Sequence, residues 1–127
     1  LTMPHLTLEH TGNIRPTVEF EAVFLRLHSV LTGAGIKLAN CKSRAVERKS
    51  FCVADGGRSS AFVHLDVRFM EGIPEGSKQE IGQGALGVLQ ECFKESPGID
   101  DLQITVEIQD IERAAYFKFP AGTLDYR

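Results

Sequence analysis

The residues with the most chemical potential stand near the start of the chain, in Met3-Pro4-His5-Leu6-Thr7-Leu8-Glu9-His10. Removal of an initiator Met3 leaves Pro4 as the N-terminus, carrying a secondary amine instead of an amide. No other residue of a ribosomal chain supplies a base of that kind. A free α-amino group titrates near ~7.7–8.0, and burial beside cations draws it towards ~6–7. A base poised near the working pH suits proton abstraction next to a carbonyl or an enol. Leu6 and Leu8 alternate with His5, Thr7 and Glu9, the pattern of a half-buried strand. The amine therefore sits on a rigid strand end. The same alternation sends the His5 side chain to the face opposite that of Pro4, so His5 is not expected to act as a second acid. A Met-Pro start is common in itself, and the rest of the chain has to support the chemistry.

Cations give that support. Lys42 and Arg44 stand two apart in a stretch from Ile36 to Val46 that reads as a strand, so both point to one face. Positive charge there suits an anionic substrate and keeps a nearby amine unprotonated. Arg15 is a further cation, at the expected start of a helix. Phe117 and Phe119 are expected in the core or at an interface, with a wall of the site as the lesser expectation. Cys41 adjoins Lys42 but has no neighbouring base, and a structural thiol is expected there.

Composition narrows the class. A chain of 127 residues is one domain by size. Its net charge of −3 is well mixed, with no basic block, so a nucleic-acid partner is not expected. Nothing approaches the ~18 apolar residues of a membrane helix, and no basic-then-apolar leader opens the chain. Three cysteines without a CxxC point to reduced thiols and a cytoplasmic setting. The four histidines show no metal-ligand spacing, so a metal is not expected. Leu1 and Thr2 are read as extra residues ahead of the initiator.

The elements follow from periodicity. Gly12-Asn13 closes the first strand. Arg15-Pro16-Thr17 is expected to open a helix carrying Phe20, Val23, Phe24, Leu27, Val30 and Leu31 at helical spacing, ended by Gly33 and Gly35. Ser50 to Val53 is expected as a short hairpin arm before the turn Asp55-Gly56-Gly57. Ala61, Val63, Leu65, Val67 and Phe69 alternate with Phe62, His64, Asp66 and Arg68 in a long strand. Ser77 to Glu80 fits a capping box before a helix burying Ile81, Ala85, Val88, Leu89 and Cys92. Leu102 to Ile108 is the last long strand, and Tyr116 to Phe119 a short arm before Pro120. The order is strand, helix, strand, twice. Pro4-His5-Leu6-Thr7-Leu8-Glu9 and Val63-His64-Leu65-Asp66-Val67-Arg68 match in pattern, which suggests two right-handed βαβ halves. Val63 stands where the first half has Pro4, so only one half can supply an amine.

In these residues the chain resembles the tautomerase superfamily, whose members use an N-terminal proline as base. More narrowly it is similar to 5-carboxymethyl-2-hydroxymuconate isomerases. The likeness runs through Pro4-His5, Asn13-Ile14-Arg15, Gly35-Ile36, Lys42-Ser43-Arg44, Ala54-Asp55-Gly56, Ala61-Phe62-Val63-His64, Val106-Glu107-Ile108 and Phe117-Lys118. It implies an α+β fold, two βαβ units in a four-stranded mixed sheet with two helices on one face, assembled as a homotrimer. Residues 4–127 would form a single tautomerase-like domain, with pseudo-repeats near 4–57 and 58–127. It implies that Pro4 moves a proton in a polycarboxylate dienol from the ring cleavage of homoprotocatechuate. Arg44 and Lys42, and less directly Arg15, would hold the substrate carboxylates. Lys42 stands where the family has arginine, and lysine lacks the planar two-point grip on a carboxylate, which leaves the exact substrate open. The alternatives are a tautomerase-fold protein acting on another small enol or acid, and a non-catalytic trimeric binding module.

Overall fold

The computed structural model describes residues 3–119. Its elements are β1 (His5–Thr11), α1 (Phe20–Gly33), β2 (Lys42–Arg48), β3 (Ser60–Met70), α2 (Glu75–Phe93) and β4 (Asp101–Ile111). Single 3₁₀ turns lie at Leu38–Asn40 and Arg113–Ala115. The four strands form one sheet in the order β2-β1-β3-β4. β1 runs parallel to β2 and β3 to β4, while the central strands β1 and β3 are antiparallel. Two βαβ units thus share one mixed sheet, the α+β architecture expected.

Alternation decides which face is covered. Leu6 and Leu8 of β1, with Ala61, Val63, Leu65, Val67 and Phe69 of β3, are fully buried. Val23, Leu27 and Leu31 of α1, and Ile81, Ala85 and Leu89 of α2, pack on them. Spacing of four residues puts each trio on one helix face. Each fully buried side chain of this size contributes roughly 1.5–3 kcal/mol over leaving it exposed. Both helices lie on this face. The helices also touch each other, and Gly84 is what permits it: a Cβ there would stand 2.8 Å from Cγ1 of Val30. The opposite, open face is lined mainly by polar side chains. His64 Nδ1 and Thr105 Oγ1 are 2.6 Å apart there, and Gln109 donates to Asp66 Oδ1 at 3.0 Å.

Several local expectations are corrected. Arg15-Pro16-Thr17 does not open α1, which starts at Phe20. The Arg15 N–H donates to Ser96 Oγ and the Thr17 N–H to the Cys92 carbonyl, so this segment is tied to the end of α2 and cannot coil. β2 begins at Lys42, not Ile36, because a 3₁₀ turn at Leu38–Asn40 comes first. Ser50 to Val53 is irregular, although the turn after it is real: Gly56 and Gly57 adopt φ of 98° and 125°, open to glycine at little cost. The capping box is absent. α2 opens earlier, at Glu75, behind an extended Pro74, and no side chain caps it. Tyr116 to Phe119 is not a strand. Pro120 and the residues after it lie outside the described residues.

Candidate active site

The start of β1 and the open face meet in one groove. Parity places His5 and Thr7 of β1 on that face, and Met3, just before the strand, packs there with Met70 and Ile111. The register sets Lys42 and Arg68 on either side of His5, and Arg44 and Asp66 on either side of Thr7. After β4 the chain turns through Arg113–Ala115 and brings Tyr116 back over the same end. The result is a groove of about 380 Å³ lined by His5, Thr7, Arg44, Asp66, Arg68, Ile111, Ala115 and Tyr116. That volume is within the range of small-molecule sites.

His5 is the hub. Both terminal nitrogens of the Arg44 guanidinium lie 3.2 Å from His5 Nδ1, and Nε2 lies 2.8 Å from the Tyr116 hydroxyl oxygen. Partial burial holds the His5 pKa below its ordinary value, and the charges of Arg44, Lys42 and Arg68 push it the same way. Lys42 donates its backbone N–H to the Pro4 carbonyl at 3.2 Å and its Nζ to the Asn40 carbonyl at 3.2 Å. Three cations therefore crowd the sheet end that Pro4 begins.

Pro4 itself is buried, and so is Met3 before it. Met3 packs on the open face with Met70, Ile111 and Tyr116. Its φ of 45° is left-handed, a conformation that costs a non-glycine residue of order 1–2 kcal/mol; its burial offsets that cost. With Met3 attached, the Pro4 nitrogen is an amide whose lone pair is delocalised into the peptide bond.

Of the residues expected to act together, Arg44 and Lys42 share a face at the Pro4 end. Arg15 does not join them. It follows the far end of β1, roughly 23 Å of strand away at ~3.3 Å per residue, and its guanidinium donates to the carbonyls of Gly12 and Ile14. Within one chain Arg15 cannot reach a ligand at Pro4, because the whole length of β1 lies between them. Phe117 and Phe119 are 88% and 95% exposed, neither core nor groove wall in the single chain. Burial raises the thiol pKa of Cys41 and of Cys92, so neither is poised as a nucleophile. Among the described residues no three His, Cys, Asp or Glu side chains converge as metal ligands. Arg68 and Tyr116 were not anticipated. Arg68 was legible only as a member of its strand face, and nothing local marks Tyr116.

A mixed sheet of two βαβ units with a cationic groove at the start of β1 is the tautomerase-type fold. A fused 4-OT wild-type symmetric trimer shares it, with a TM-score of 0.69 at 15% identity over 87% of each chain. The sequence pattern of the family described as 5-carboxymethyl-2-hydroxymuconate isomerase matches residues 4–121, and the chain belongs to that family. It is 26% identical over 117 residues to the 5-carboxymethyl-2-hydroxymuconate Delta-isomerase of Escherichia coli, covering 91% of this chain and 93% of that one. The crystal structure of a 5-carboxymethyl-2-hydroxymuconate isomerase from Deinococcus radiodurans R1 superposes with a TM-score of 0.83 at 30% identity, covering 92% of this chain and 89% of the other. Family membership makes the protein an isomerase. Among the described residues no helix is long and apolar enough to cross a membrane.

Proposed function

We propose that the chain shifts a proton within an unsaturated polycarboxylate of the 5-carboxymethyl-2-hydroxymuconate type, with the free Pro4 amine as general base and no cofactor. The observation that carries the reading is the cluster of Arg44, Lys42 and Arg68 around the strand end that Pro4 opens. Carboxylates of the substrate bind these cations. The same charges disfavour protonation of the amine and keep it basic near neutrality. Pro4 takes a proton from the enol or from the carbon beside the carbonyl. The electron pair moves into a conjugated dienolate, and the proton returns at another carbon. Catalysis then consists of positioning and charge stabilisation.

The reading extends to assembly and setting. A sheet with helices on one face leaves the other needing cover, and exposed Phe117 and Phe119 offer apolar contacts. The 4-OT relative of the same fold is a symmetric trimer, and this chain is proposed to be a homotrimer. Arg15 enters a site only from an adjacent protomer. Homoprotocatechuate catabolism in the cytoplasm is the proposed context. Lys42 supports a second reading, a different small enol or acid, because it grips a carboxylate less rigidly than arginine. The test is ketonisation of a dienol dicarboxylate by a chain beginning at Pro4, compared with other enols.

A further inference from the structure

We infer that Tyr116 is a catalytic hydrogen-bond donor to the developing enolate oxygen, and that His5 is a positioning residue that aims it. The inference rests on the isomerase reading above and names a role within that site.

The polarity of the contacts carries the argument. A guanidinium has donors only. With both Arg44 terminal nitrogens at 3.2 Å, His5 Nδ1 must present its lone pair. The imidazole proton therefore sits on Nε2, which stands 2.8 Å from the Tyr116 oxygen. Nε2–H donates and Tyr116 Oη accepts. The reverse direction would put an N–H on Nδ1 against two guanidinium N–H groups. The hydroxyl proton of Tyr116 is thus not spent on His5. Among the described residues Oη has no other hydrogen-bond partner. Tyr116 and His5 line the same groove, and Tyr116 packs against Met3, the residue joined to the Pro4 nitrogen. A polarised O–H is thereby held against the residue that precedes the proposed base.

The chemistry balances without a second proton carrier. Pro4 removes the proton and later returns it to another carbon. Between those steps negative charge rests on the carbonyl-derived oxygen. Tyr116 keeps its proton and donates a hydrogen bond to that oxygen. Because the bond strengthens as charge develops, it acts on kcat more than on KM.

The test uses the chain processed to begin at Pro4, which keeps all of β1 from His5. Tyr116→Phe should lower kcat by roughly 10²–10³-fold, as loss of one oxyanion donor does, and raise KM by no more than about 10-fold, the worth of one net ground-state hydrogen bond. His5→Ala should lower kcat in the wild-type background and hardly at all in the Tyr116→Phe background. Additive losses would overturn the positioning role. Nitrogen NMR of the unsubstituted protein should show His5 protonated at Nε2 and bare at Nδ1; the opposite tautomer overturns the inference without any variant. A binding measurement separates the two readings. Two unreactive dicarboxylates, alike except for a 2-oxo group, should differ roughly 10-fold in affinity, the worth of one net hydrogen bond, and Tyr116→Phe should erase the difference. If the processed chain is inactive yet keeps that preference, the isomerase reading and the enolate role both fail, and Tyr116 is left as a donor to a bound 2-oxo acid. If it is active and Tyr116→Phe matches it in kcat and in preference, the donor role fails and the isomerase reading stands.

Discussion

Arg44 on β2 and His5 on β1 meet across the parallel strand pair, with both guanidinium terminal nitrogens 3.2 Å from the imidazole Nδ1. The contact ties a proposed carboxylate-binding cation to the groove's central histidine. It also uses only two of the donors a guanidinium offers. The remaining N–H groups of Arg44 are enough to hold a carboxylate while His5 stays fixed.

Arg44→Ala should therefore act mainly on substrate binding. A charge-assisted hydrogen bond contributes ~1.5–3 kcal/mol, so KM for a dicarboxylate should rise by roughly 10- to 100-fold, with a smaller fall in kcat. Lys42→Ala should cost less, because its ammonium makes a single-point contact and now donates to the Asn40 carbonyl. Steady-state kinetics on the two variants decide it. Unchanged kinetics in Arg44→Ala would remove that residue from the site.

Two helix glycines should respond in opposite senses. At Gly84 a Cβ would meet Val30 Cγ1 at 2.8 Å and Cγ2 at 3.4 Å, and a β-branched side chain has little freedom to withdraw. Overpacking costs ~1–3 kcal/mol, against a helix-propensity gain of up to ~1 kcal/mol. Gly84→Ala should be destabilising by about 1 kcal/mol. Gly87 has nothing within 4 Å of an added Cβ. Gly87→Ala should be stabilising by up to ~1 kcal/mol. Urea unfolding of both variants checks the pair, and a stabilised Gly84→Ala would contradict the packing described.

Acid should weaken the fold before the carboxylates titrate. His5 is held below its ordinary value of 6.5 by burial and then by the charges of Arg44, Lys42 and Arg68. His28, with Nε2 2.7 Å from Ser43 Oγ, is lowered by burial. Both groups bind protons more readily in the unfolded chain. Their contribution to stability is full above pH 6.5 and is lost as pH falls through that value towards the lower folded pKa. Unfolding midpoints measured from pH 8 to pH 5 should fall on the acid side. A double variant, His5→Gln with His28→Gln, should show a shallower decline. Midpoints that hold or rise on acidification would contradict both lowered values.

Assembly has its own measurement. Light scattering at micromolar concentration should give about three times the chain mass of 14.0 kDa. A monomer mass would leave Arg15 without access to any site and would remove it from the proposed binding set.

Much of the fold was legible because burial is periodic. The alternation over Ala61 to Phe69 marks β3, and its buried set matches residue for residue. The helices were legible in their buried faces and not in their starts. Pro16 suits a helix's first turn, yet tertiary bonds from Arg15 to Ser96 and from Thr17 to Cys92 hold this segment out of α1. The site divides in the same way. Strand parity puts Lys42 and Arg44 on one face, a local property. Arg68 joins them through the antiparallel register of β1 with β3, and Tyr116 through the return of the chain after β4. Neither register nor chain return is written in any short stretch.

The central claim is that the Pro4 nitrogen is the base. In the chain carrying Leu1, Thr2 and Met3 that nitrogen is an amide, and Met3 fills the space among Met70, Ile111 and Tyr116 beside the groove. Cleavage to Pro4 both frees the amine and clears that space. No residue of the second half can replace it, because only the first residue of a chain carries a free α-amine. The direct measurement compares ketonisation of a dienol dicarboxylate by the full 127-residue chain and by the chain beginning at Pro4. The processed chain should turn over, with activity rising through a single basic limb at about 6–7, and the full chain should be nearly inactive. Equal rates from the two chains would contradict the account and take Pro4 out of the mechanism.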